Sequence, residues 1–141
     1  MKKFLALSLL LAVNSVFADG HQLVEKHCMG CHVIDGQGGD KKAAPPMFSV
    51  WHHYRQAHPQ KEAFVAAVED WLTRPQPEKA LMQGAVQKFG AMERVTLQAG
   101  EARQIAEYLH DHLFELPEWY VQHYNENHGQ ESHGYTRSEQ H

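Results

Sequence analysis

The sequence predicts an all-α domain, and three observations point there. Two stretches, 61–74 and 100–115, set apolar residues at i, i+3 and i+4, the period of a helix with one buried face. No stretch alternates apolar with polar residues as a half-buried strand does, and no internal repeat interrupts the pattern. The 141 residues are 43% hydrophobic and 21% charged with a mean hydropathy of −0.55. Those values suit one small domain and exclude a polytopic membrane protein or a wholly disordered chain.

The first element is a leader. Lys2 and Lys3 precede a nearly unbroken apolar run from Phe4 to Val13, and Val16-Phe17-Ala18 places small residues at −3 and −1 of a cleavage site. The run is shorter than the roughly 20 residues that span a bilayer. Residues 1–18 are therefore expected to be a cleaved signal peptide, with an exported, periplasmic domain starting at Asp19. Removing Lys2 and Lys3 takes Lys+Arg from 13 to 11 against 17 Asp+Glu, and the net charge from −4 to −6. An acidic chain of this kind is a poor nucleic-acid binder, because phosphate contacts need a basic face.

Residues 33–44 hold three glycines among charged side chains and read as a polar loop. Residues 48–58 read as a short helix that ends near Pro59. In 61–74, Phe64, Val65, Val68, Trp71 and Leu72 form the apolar face, and Pro75 and Pro77 stop the helix. A short helical turn is expected over 78–84 and a loop over 85–98. In 100–115 the apolar face is Ala102, Ile105, Ala106, Tyr108, Leu109 and Leu113.

Only two cysteines occur, and they stand together in Cys28-Met29-Gly30-Cys31-His32, the C-x-x-C-H pattern of covalent heme attachment. Two thiols a helical turn apart can each add to a vinyl group of one porphyrin, and the adjacent imidazole becomes the proximal iron ligand. A zinc site would need further Cys or His at ligand spacing. A dithiol redox pair would need a βαβ setting, and no strand pattern precedes Cys28. The expected cofactor is one covalently bound heme c, with a helical shell wrapped around it.

With these residues in place, 20–115 resembles the small monoheme class I cytochromes c, whose heme motif is N-terminal. Gly20 and Val24 stand eight and four residues before Cys28, as a glycine and an apolar residue do in that family. The glycine there lets the first helix cross the last one closely. Ala106-Glu107-Tyr108-Leu109 looks like the aromatic–aliphatic contact on the other side of that crossing.

The resemblance implies a cytochrome c-like fold, electron transfer and a methionine as sixth ligand. Met92 lies 16 residues before Tyr108, matching the family's axial methionine, and Met82 is the runner-up. Glu93 follows Met92 where the family often has proline. Met29 sits inside the attachment loop, and Met47 follows His32 by only 15 residues, where the family runs along the proximal side. His52, His53 and His58 are the histidine alternatives. For the other nitrogen of His32, the resemblance implies a proline carbonyl as acceptor. Pro46 matches that proline, with Pro45 in place of the family's glycine. Trp71 falls where the family keeps an aromatic residue beside the distal ligand.

Residues 117–141 have no counterpart in the minimal family fold. Pro117 suits a helix start, so 117–127 is expected to fold back through Trp119, Tyr120 and Tyr124, and the stretch beyond Gly129 to be disordered. No nucleophile–base set suggests bond-making catalysis. The reading is a non-enzymatic periplasmic electron carrier cycling between Fe(II) and Fe(III), working with redox partner proteins and without a membrane span after signal cleavage. The alternatives are a heme sensor or ligand-binding protein, a heme peroxidase, or a heme subunit of a larger periplasmic oxidoreductase.

Overall fold

A computed structural model describes residues 19–33 and 43–129 of the chain. The leader, the glycine loop over 34–42 and the segment after Gly129 lie outside the described residues. The described residues form six α-helices and no strand: α1 (Gly20–His27), α2 (Met47–Ala57), α3 (Lys61–Thr73), α4 (Gln83–Phe89), α5 (Glu101–Asp111) and α6 (Glu118–His128).

Local chemistry sets the helix ends. The Asp19 side chain caps α1 by accepting the His21 N–H at 3.3 Å. Pro46 begins α2, its carbonyl accepting the N–H groups of Ser49 and Val50 at 3.0 and 3.2 Å. Arg74, ahead of Pro75, leaves helical geometry and ends α3. Gly100 takes a φ of +85°, open to glycine with little strain, and starts α5. Glu101 reaches back to accept the Gln98 N–H at 2.7 Å.

The core joins one face from each long helix. Leu23 and Val24 of α1, Phe48 and Trp51 of α2, Phe64, Val65 and Val68 of α3, and Ile105, Ala106 and Leu109 of α5 are all buried. α3 packs along α5, and α1 crosses α5. The crossing depends on Gly20: a Cβ there would lie 2.6 Å from the Tyr108 Cβ and 2.9 Å from the Gln104 carbonyl oxygen. His27 sits 3.9 Å from Glu101 across the same interface.

Three local expectations are corrected. Residues 85–98 are not all loop, because α4 occupies 83–89; its seven residues bury none of their side chains fully, so no apolar face announces it. The last core helix stops at Asp111 rather than 115. With the helix ended, Leu113 points outward, 55% exposed, and Phe114 turns in against Trp51, ring centroids 5.7 Å apart.

α6 folds back on α2. Tyr120 is buried in the core, its ring 5.1 Å from that of Phe48 at an edge-to-face angle of 71°. Tyr124 is partly buried, whereas Trp119 is 54% exposed and meets Phe48 only at its edge.

Candidate heme site

The attachment motif occupies the turn that ends α1. The helical ladder closes with Cys28 N–H donating to the Val24 carbonyl at 2.8 Å. Cys31 N–H and His32 N–H then both donate to the Cys28 carbonyl, at 3.2 and 2.9 Å, coiling the five-residue motif on itself. Both cysteines are free thiols, Cys28 buried and Cys31 exposed. Burial, helped by the neighbouring Cys31, pushes the Cys28 thiol up to about 11. A thiol in that range is protonated at neutral pH, so Cys28 is not an activated thiolate.

The His32 ring is fixed through its Nδ1, which donates to the Pro45 carbonyl at 2.7 Å. This corrects the expected acceptor: Pro45 holds the imidazole, and Pro46 does not. The Pro46 carbonyl is already occupied by the first N–H groups of α2, so the preceding carbonyl is the one available. The Met47 N–H also donates to the Val33 carbonyl at 3.3 Å, tying the residue after His32 to the start of α2. Burial lowers the His32 pKa, and the Pro45 hydrogen bond partly offsets the effect. The ring is therefore neutral, with Nε2 left as the donor for a metal.

Met92 lies in the stretch between α4 and α5, partly buried against the core. Trp71 of α3 donates its indole N–H to the Met92 sulfur at 3.1 Å. The two residues matched to the distal side, 21 positions apart, thus meet directly. Met82 starts α4 and does not join the core, whereas Met47 is a buried core residue. His52 and His53 face α6, where Tyr120 bonds both, and His58 lies beside Tyr54. The burial of His52, at 3% exposure, was not legible in the sequence; its partner is 68 residues away.

These residues fit a covalently held heme: two unpaired thiols on one turn, a neutral imidazole with its outer nitrogen tied down, and a thioether held in place by an indole. Among the described residues, no group of three or more His, Cys, Asp or Glu is arranged to hold a metal ion. An all-helical shell carrying such a turn is the form of a small c-type heme protein. The chain belongs to the cytochrome c family, whose family model matches residues 17–112. Heme binding and electron transfer are the function of that family, and covalently bound heme c is its cofactor. An uncharacterized protein of Aquifex aeolicus (strain VF5) is 30% identical over an alignment of 113 residues, covering 65% of this chain and 74% of the relative. No solved structure matches. No helix among the described residues is long and apolar enough to cross a membrane.

Proposed function

We infer that this protein is a periplasmic single-heme electron carrier with His32 and Met92 as axial ligands. The observation that carries this reading is the indole–thioether hydrogen bond between Trp71 and Met92. It holds the sulfur of the one methionine that the spacing to Tyr108 also selects. Heme, when bound, supplies a one-electron Fe(II)/Fe(III) couple.

The chain's own residues do the rest. Cys28 and Cys31 would hold the group through thioethers, which would keep it from dissociating in either oxidation state. The Pro45 carbonyl fixes the plane and tautomer of His32 and raises its basicity. Trp71 draws electron density from the Met92 sulfur, which favours the reduced state. Ligands set by hydrogen bonds move little between oxidation states, and small movement favours fast electron exchange. His/Met ligation supports a higher potential than two histidines would. The net charge of −6 without the leader supports a redox partner whose docking face is neutral or basic. The same properties would serve a heme subunit of a larger periplasmic oxidoreductase.

The test is coordination. The oxidised holoprotein is expected to be low-spin, and the reduced form to bind carbon monoxide slowly, because both axial positions are filled. A high-spin spectrum with rapid carbon monoxide binding would overturn the carrier reading in favour of a sensor or peroxidase.

A further inference from the structure

α6 is docked on α2 by an unusual set of side chains. Tyr120, Tyr124 and His128 recur every four residues on α6 and so share one face of that helix. They meet Phe48, His52 and His53 of α2. His52 meets Tyr124 edge-to-face at 4.4 Å between centroids, and His53 meets Tyr124 at 5.1 Å and His128 at 5.4 Å. His128 in turn stacks on Tyr124 at 4.5 Å.

Hydrogen bonds link the polar atoms of the cluster. His53 Nδ1–H donates to the Ser49 carbonyl at 2.8 Å and reaches the Tyr120 hydroxyl oxygen at 3.3 Å. His52 has a partner at each ring nitrogen: the Tyr120 hydroxyl lies 3.2 Å from Nδ1, and the Gln56 amide nitrogen, a donor, lies 3.4 Å from Nε2. A ring nitrogen that accepts must be unprotonated, so this arrangement requires His52 to be neutral. The titratable groups of α6 set against these rings are Tyr120, Tyr124, His123 and His128. The charges acting on the two rings are other imidazoles: His53 and His128 on His52, and His128 and His123 on His53. A proton added to the cluster therefore meets desolvation and like charge together.

We propose that α6 is an acid-released strap: neutral His52 and His53 hold it on α2, and protonation of the imidazole cluster detaches it. Release uncovers α2 from Phe48 onward, three residues after the carbonyl that holds His32. Burial, with the neighbouring imidazoles, depresses His52 to about 4 from the usual 6.5, and lowers His53 as well. The sign follows. A detached α6 leaves these rings free to take protons that the docked state refuses. Docking is thus strongest above pH ~6.5 and weakens as pH falls toward the depressed values. His52 alone, taken at its docked and free values, reduces the docking equilibrium by about 30-fold at pH 5.

Amide hydrogen exchange on the intact holoprotein tests this, with intrinsic exchange corrected at each pH. Protection of the α6 amides is expected to fall tenfold or more between pH 7.5 and pH 5, while α3 keeps its protection. In His52→Gln/His53→Gln the fall should shrink below threefold, whether α6 is docked or free at pH 7.5. Constant α6 protection in the unsubstituted protein, an equal loss in α3, or a double variant with the full fall would each overturn the strap. None of these readouts depends on which residue ligates the iron.

Discussion

Trp71 and Met92 are joined by an indole N–H donated to a thioether sulfur at 3.1 Å. One partner comes from the last turn of a regular helix, the other from the irregular stretch before α5. α3 is packed along α5, and the indole N–H gives the irregular segment a polar anchor beside the packing of Val95 and Leu97 on the core.

That bond has a measurable consequence. Trp71→Phe keeps the aromatic bulk and removes the N–H. A net hydrogen bond is worth ~1 kcal/mol, equivalent to ~40 mV for a one-electron couple, so the reduction potential should drop by no more than that. Redox titration of the variant against the unsubstituted protein measures it. An unchanged potential would mean that the bond does not act on the iron.

The crossing of α1 and α5 makes a second prediction. Gly20→Ala forces a methyl against Tyr108 and the Gln104 carbonyl, both anchored in α5. Overpacking of this kind costs about 1–3 kcal/mol. Thermal unfolding of the holoprotein should shift down by several degrees with its visible spectrum intact, because the clash lies one helix away from the attachment turn.

Tyr120 separates packing from hydrogen bonding. At 3% exposure its truncation to Ala removes a core aromatic ring, a loss of about 3–5 kcal/mol. Tyr120→Phe keeps the ring and gives up only the hydroxyl's links to His52, His53 and the Ser49 side chain, about 1 kcal/mol. Denaturant melts of the two variants should differ by several-fold in their destabilisation. Similar losses would mean that α6 contributes through its hydroxyl rather than its ring.

The attachment turn predicts a maturation phenotype. Cys28→Ala and Cys31→Ala each leave one thiol able to form a thioether. Each should retain heme less well and shift the reduced absorption band to longer wavelength. Acid–acetone extraction reads covalent retention, and a normal spectrum with full retention in both variants would contradict attachment at these positions.

How much of this was legible beforehand depends on the range of the interaction. Helix α3 follows from apolar periodicity and its proline stop, α2 from the stop near Pro59, and their ends match the sequence reading to within one residue. The Gly20 crossing was legible through the family resemblance, and the structure supplies its physical reason: a Cβ there would lie 2.6 Å from the Tyr108 Cβ. The early end of α5 was not: Leu113 continues the helical pattern, and only the pull of Phe114 into the space beside Trp51 decides against it. The choice of Pro45 over Pro46 turned on which carbonyl the first turn of α2 consumes, a matter of one residue of register. The packing of Tyr120 and Tyr124 was expected, but not their partners: His52 and His53 lie some 70 residues earlier and look solvated in sequence.

The central claim, that Met92 is the distal ligand steadied by Trp71, is tested most directly by the oxidised optical spectrum of two variants. Methionine bound to ferric heme gives a weak long-wavelength charge-transfer band. The band should be present in the unsubstituted protein, persist in Met82→Ala and vanish in Met92→Ala. Its survival in Met92→Ala, or its loss in Met82→Ala alone, would contradict the account.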